Sequence, residues 1–407
     1  MRTTHWMALL LVFSLAGNVA AGPHPLTAED RDYLRGIMRE TWHFLDFYIS
    51  PKTGLPYDSS TPNKDITNTT TIGVYLASLC MAYKMNYVTE DHALARIERI
   101  LDSLDTLEHW NRLYNNWLHP DLKTREAQPG RNNISDYNKL PAGLILVRQT
   151  FPRLESRITA FLNEIPWAEF HDPETDKVLY EFDVVQRKTL NPVYLFRGED
   201  KVLGLFFMIA SEQVPPEVWD RQDNATEERH GYRYFRHGWQ GGGLFMHFFC
   251  SLFLDPRGTP LEESARNFTL AQKAHAEKIG APVWGWSACE APDGRYLGMD
   301  AITDEIVTPH ASALAIHLFP REVTDNLRRL ETFGLREPFP VDGEPQRFGF
   351  RDSVNWKTGE VADVYLVLDQ AMLFLALINV VEDELLWRTF GADPMVRRGR
   401  ELIPDYP

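Results

Sequence analysis

The sequence lacks the short signatures that announce most catalytic centres. There is no GxSxG, no HExxH, no CxxC, no phosphate-binding loop and no GxGxxG, so serine-elbow hydrolases, zinc peptidases, dithiol redox centres and dinucleotide folds have no anchor here. Cysteine is scarce. Cys80, Cys250 and Cys289 are the three present, in apolar or mixed surroundings with neither a pairing motif nor metal spacing. They read as buried thiols, with one disulfide open to them. His119, His237, His310 and His317 lack ligand spacing and read as core or hydrogen-bonding residues. No metal, nucleotide or other cofactor is implied. Positive charge is in deficit, with 42 Lys and Arg against 57 Asp and Glu, a net of −15. Such a chain repels phosphate backbones, which sets nucleic acid aside and favours a neutral ligand.

Long hydrophobic runs are also missing beyond the N-terminus. The opening "MRTTHWMALLLVFSLAGNVAAG" has one Arg, an apolar middle and a Val-Ala-Ala end. It reads as a secretory signal peptide over residues 1–21, and places the mature chain, 22–407, in the periplasm or outside the cell. Its apolar part is too short to span a bilayer. The longest later block, "GLFMHFFCSLFL" (243–254), is short and carries His247, which suits a buried core helix rather than a membrane span.

Helical patterning fills the rest. "TAEDRDYLRGIMRETWHFLDFYI" (27–49) opens on Thr27 with acids behind it, and a second such start stands at Thr89. Eleven or twelve helices follow in pairs, with few strand signals ("KVLYEF", 177–182) and no linker or fixed-period repeat. The expected fold is all-α: a single (α/α)6 toroid whose inner helices, such as 243–254 and 364–380, are apolar nearly all round. Long aromatic loops at one rim, "YNNWLHPDLKTREAQPGRNN", "YRYFRHGWQGGG" and "GAPVWGWSACEAPDGRYLGM", would build the site.

What remains for chemistry is carboxylates among aromatics, the equipment of glycoside hydrolysis. In "LFRGEDKVLGLFFMIAS" (195–211), Glu199 and Asp200 stand at the mouth of an apolar run. Two readings compete. Acids in a first helical turn gain from the helix dipole. Alternatively, one of them sits against an apolar wall that holds a proton on it.

The order of motifs adds to this. "GWQGGGLFMHFF…LFLDPRG", "WGWSACEAPDGRY", "DEIVTPHASALAIHLFP", "FGFRDSVN", "YLVLDQAMLFLALIN" and "LLWRTFG" occur in sequence. They resemble, in the same order, segments of the bacterial glycoamylase-like family, which includes endo-β-1,2-glucanases of glycoside hydrolase family 144 and the cyclisation domain of cyclic β-1,2-glucan synthases. The resemblance implies the same toroid and action on a bacterial glucan, with β-1,2 linkage leading. It also implies that Glu199 matches the family's general acid. "NNISDYNKLPAGLILVRQTF" aligns so that Asp136 takes the place of a family Glu and Asn133 that of a family acid. The shorter Asp136 widens the gap to Glu199 and favours an inverting displacement through water. A helix cap formed with Ser135 is the competing role for Asp136, and Asn133 motivates a second function, a non-catalytic glycan-binding protein. A polysaccharide lyase is the third.

Trp117, Trp239, Gln240, Trp284, Trp286 and Tyr296 lie in the candidate loops and are the expected sugar-binding set. Trp117, Trp239 and Trp286 are expected to line one cavity. Asp304, Glu305, Asp352 and Asp369 match family acids, and Asp369 falls within an apolar helix, where a charge needs a partner. Glu199 is expected to face the cavity and Asp200 to point away, so that Asp200→Asn is mild. The protein is expected to act as a monomer on an oligo- or polysaccharide.

Overall fold

The computed structural model describes residues 25–61, 66–121, 130–190, 197–298 and 301–406. The expected signal peptide, residues 1–21, lies outside them, as does part of the first aromatic loop. Among the described residues there are fourteen α-helices, and the strands, of two to four residues, form two-stranded sheets and one three-stranded sheet.

Two kinds of helix alternate. The first kind is amphipathic. α1 (Ala28–Phe47) starts at Thr27, whose hydroxyl accepts from Asp30 N while Asp30 returns a bond to the Thr27 backbone. Leu34, Ile37, Met38, Trp42 and Leu45 then form one buried stripe at helical spacing. α3 (Glu90–Thr106) is capped by Thr89 in the same way, and α6 (Glu155–Glu164), α9 (Pro260–Ile279), α11 (Pro320–Glu331) and α14 (Pro394–Leu402) also keep polar outer faces.

The second kind is buried all round. α2 (Thr69–Lys84) buries every residue from Thr69 to Ala82, and α7 (Val202–Ala210) buries its whole length. α5 (Lys139–Thr150), α8 (Leu244–Phe253), α10 (Pro309–Leu314) and α12 (Val367–Val381) behave alike. These six are the inner helices: α2 packs on α5, α8 on α10, α10 on α12, and α12 on α2. α1 covers α12, α14 covers α7, and the short α13 (Leu385–Gly391) reaches α5 and α8. α2 and α5 come unusually close, because a Cβ on Gly73 would fall 2.1 Å from the Lys139 carbonyl oxygen. The architecture is an (α/α)6 toroid. No helix among the described residues is long and apolar enough to cross a membrane.

The N-terminal ends of the inner helices meet at one rim, as the bonds between the segments entering them show. Thr70, in the first turn of α2, reaches Asp136, which precedes α5. Ser135 bonds Asp200, which precedes α7. His237, before α8, reaches Glu199. Val367 N, at the start of α12, donates to Asp58 O, and Asp58 accepts from Asn68 and Thr71 at the start of α2. Positive helix ends gathered on one rim favour acids there.

Candidate active site

Glu199 and Asp200 stand in the turn immediately before α7, not inside its first helical turn. Their carbonyls take the amides of Val202 and Leu203 at 3.2 and 3.3 Å, so the turn leads directly into the helix. Glu199 is 2% exposed. Its Oε2 lies 2.8 Å from Lys201 Nζ and its Oε1 3.2 Å from His237 Nε2. The expected apolar wall is thus, at the carboxyl itself, an ammonium and an imidazole. Lys201 also lies over the Tyr180 ring, 4.8 Å from its centre.

Asp136 is half-buried on α4 (Ile134–Tyr137), a single helical turn before α5. The cap of that turn is Asn133, not the acid: Asn133 Oδ1 accepts the Asp136 amide at 2.7 Å. The Asn133 side-chain amide then donates to Asp136 Oδ2 at 2.7 Å, and Asn116 Nδ2 donates to the same oxygen at 2.5 Å. Thr70 Oγ1 stands 3.2 Å from Oδ1. The side-chain contacts treat the Asp136 carboxylate as an acceptor, and Asn133 orients it. Tyr180 lies near both candidates. Burial first, then the charges of Asp136, Asp200, Glu181 and Glu199, push its phenol well above the ordinary range.

Asp200 does point away from Glu199, but into the core rather than to a neutral setting. It is fully buried and paired with Lys139, itself 1% exposed. A mild Asp200→Asn is therefore corrected to a damaging one, since removing one partner of a buried pair costs about 3–5 kcal/mol.

Beside Glu199 opens a cavity of about 710 Å3, lined by Arg229, Tyr234, Arg236, His237, Trp239 and Gln240 among others. That lies within the ~300–1,000 Å3 usual for small-molecule sites. His237 lines it, and its Nε2 stands 3.2 Å from Glu199 Oε1. Its imidazole fits only because residue 241 is Gly, where a Cβ would come 2.1 Å from His237 Nδ1. A cavity of similar size, about 760 Å3, opens at the C-terminal ends of α5 and α7 around Arg148, Gln149 and Gln213, on the opposite rim.

The aromatic set divides. Trp117 is half-exposed and its strand pairs with Asn68, which places it on the candidate rim beside Asn116. Gln240 is exposed at the cavity. Trp239 lines it with a small exposed edge, under Arg229, whose guanidinium is 3.7 Å from the ring centre. Trp286 is a correction. It is 0% exposed, its backbone is held by Gln272 from α9, and it stacks on Trp239 from below at 5.4 Å. Trp284 is likewise buried, its backbone bonded to Asn326 of α11. Both are supports, not sugar platforms.

Tyr296 has 60% of its surface exposed. Its phenol nevertheless lies among protein groups: burial, then the charges of Asp369, Cys289, Asp352 and Asp58, push it well above its ordinary value.

Asp369, in the first turn of α12, was expected to need an Arg or a polar site. No Arg pairs with it among the described residues. Burial first, then Asp352, with its charge and its hydrogen bond, and then Asp58 push the Asp369 carboxyl far above the carboxylate range. These neighbours favour the protonated form of Asp369. His310 Nδ1 stands 3.3 Å from Asp369 Oδ2, and burial pushes its pKa down to about 3. His310, Asp352 and Asp369 are the one trio of metal-ligating type brought together among the described residues. The Thr308 hydroxyl gives its proton to Asp352 O at 2.6 Å and so accepts from His310 Nδ1 at 2.8 Å. The imidazole lone pair is then on Nε2.

Lys201, Asn116 and Lys139 contact the candidate acids and were not foreseen, while His237, read as a core or hydrogen-bonding residue, reaches Glu199. A Lys two residues from Glu199 was the one local signal available. The others reach the site only through tertiary packing.

A family model described as "Glycoamylase: Putative glucoamylase" matches residues 202–394. The chain is similar to the glycoamylase-like family. Among solved structures, a putative glucoamylase from Bacteroides caccae matches with a TM-score of 0.77 at 20% identity, over 92% of this chain and 98% of that one. An endo-β-1,2-glucanase from Chitinophaga pinensis, in complex with sophorotriose and glucose, gives 0.77 at 16% identity over 93% and 98%. An endo-β-1,2-glucanase from Talaromyces funiculosus, in complex with sophorose, gives 0.68 at 10% identity over 92% and 91%. No curated protein matches the sequence. The glycoamylase-like likeness thus extends over nearly the whole toroid, and at these identities it concerns the fold.

Proposed function

We propose that the protein is a glycoside hydrolase that cuts a β-1,2-linked glucan by general acid and base catalysis with inversion. The observation that carries this is the placing of two carboxyls, Glu199 and Asp136, on adjoining segments of one rim, with Tyr180 within reach of both charges and a cavity alongside. Glu199 would give a proton to the leaving oxygen and Asp136 would hold or deprotonate the attacking water. Inversion calls for carboxyls roughly 6.5–9.5 Å apart. Trp117, Tyr296, Trp239, Gln240 and the protonated Asp369 would contact sugar rings or hydroxyls along the rim. Support for the linkage comes from the endo-β-1,2-glucanases that share the toroid. A secreted or periplasmic monomer is part of this reading.

One observation favours a second reading, a glycan-binding protein without turnover: Lys201 and His237 close over Glu199. Incubating the protein with a panel of β-glucans separates the two. A hydrolase yields new reducing ends and saturated sugars. A binding protein yields none but melts at a higher temperature with the glycan present. Products absorbing in the ultraviolet would point instead to a lyase.

A further inference from the structure

We propose that the buried Lys139–Asp200 pair is a positioning device that sets the separation of the Asp136 and Glu199 carboxyls. The inference rests on the hydrolase reading for its purpose, though not for its geometry. Asp200 is the chain neighbour of Glu199, and Ser135 is the chain neighbour of Asp136. The Ser135 hydroxyl straddles both Asp200 oxygens at 2.8 Å. Lys139 Nζ donates to Asp200 Oδ2 and also to the Ser135 carbonyl. Asn138 Nδ2 holds the Asp200 carbonyl at 3.1 Å. Three donors, Ser135, Lys139 and Asn138, thus join the segment bearing one candidate carboxyl to the segment bearing the other.

Both ends of this link are fixed. The Lys139 backbone is wedged against α2 at the Gly73 contact. Its ammonium lies 4.4 Å from the centre of the Phe249 ring and 5.7 Å from that of Phe245, both on α8. At the other end, Cys250 Sγ approaches the Asp200 carbonyl at 3.6 Å. Buried ion pairs seldom stabilise more than an apolar pair of the same volume, because desolvation offsets the attraction. What this pair supplies is direction: its bonds allow one arrangement of the two segments, whereas apolar side chains allow several.

The test is the double substitution Lys139→Met with Asp200→Leu, compared with wild type and with Ser135→Ala. The double variant should melt close to wild type, since no charge is left unpaired. Its crystal structure should show the Asp136–Glu199 separation altered by about 1 Å or more, and kcat should fall by about 100-fold with KM nearly unchanged. Ser135→Ala keeps the ion pair and folds even if the double variant does not. It should lower kcat about 10-fold at constant KM. A merely structural role would lower the melting temperature without this split. Wild-type kcat and an unaltered separation in the variants overturn the inference and leave the hydrolase reading standing. If wild type releases no reducing ends from any glucan, the hydrolase reading fails. The crystallographic separation then decides the inference alone, an unaltered value overturning it.

Discussion

Acidification should destabilise the toroid through histidines that stay uncharged in the folded chain, and the half-buried His317 isolates the effect. It lies between Phe248 and Trp387, with ring centres 5.7 Å away on each side. Burial, aided by Arg266, pushes its pKa down to about 4 from 6.5. His247 and His310 are driven to about 3 by burial as well. At pH 5 the unfolded chain protonates each of these imidazoles and the folded chain does not, so the unfolded state binds more protons. Stability therefore rises with pH, and it is lost as pH falls from about 6.5 toward the folded values. One pKa unit is worth about 1.4 kcal/mol, so His317 alone should cost about 2 kcal/mol between pH 7 and pH 5. The perturbation is His317→Leu, which removes the proton site and keeps an apolar side chain between the two rings. Urea melts of wild type and variant at pH 7 and pH 5 give four stabilities. The variant should lose about 2 kcal/mol less than wild type over that interval. The raised Asp369 carboxyl acts in the opposite direction, but it is common to both proteins and cancels in the difference. Equal losses in the two proteins would refute the reasoning by showing that His317 takes up its proton in the folded state.

The three cysteines are free and buried, and burial pushes the thiols of Cys80 and Cys250 up to about 12. A thiol reagent at pH 8 should therefore label none in the native protein and all three in urea; rapid native labelling would contradict the packing. Gly241→Ala places a methyl on the His237 ring and should destabilise by about 1–3 kcal/mol, read as a lower melting temperature. An unchanged melt would mean that His237 does not occupy its place beside Glu199.

The helices were legible wherever a local signal decided them. Thr27 and Thr89 followed by acids marked two starts, and the apolar blocks at 243–254 and 364–380 identified α8 and α12 as inner helices. Glu199 and Asp200 were set in the first turn of α7, because Gly198 resembles a helix entry, whereas the turn runs on through Lys201 and the helix opens at Val202. Trp284 and Trp286 looked exposed between glycines. Their backbones are instead claimed by Asn326 and Gln272, from helices distant in sequence. The Lys139–Asp200 pair spans 61 residues with no periodic trace. Asp369 had no sequence signal for favouring its protonated form, since that depends on Asp352 and Asp58 arriving from two other segments.

The central claim is that Glu199 gives the proton and Asp136 handles the water in cutting a glucan. The most direct measurement is the rate at which reducing ends appear from β-1,2-glucan with wild type, Glu199→Gln and Asp136→Asn. The account predicts turnover by wild type, a loss of about 100-fold or more in each variant, and glycan still bound by Glu199→Gln. Near-native turnover by Glu199→Gln would contradict it.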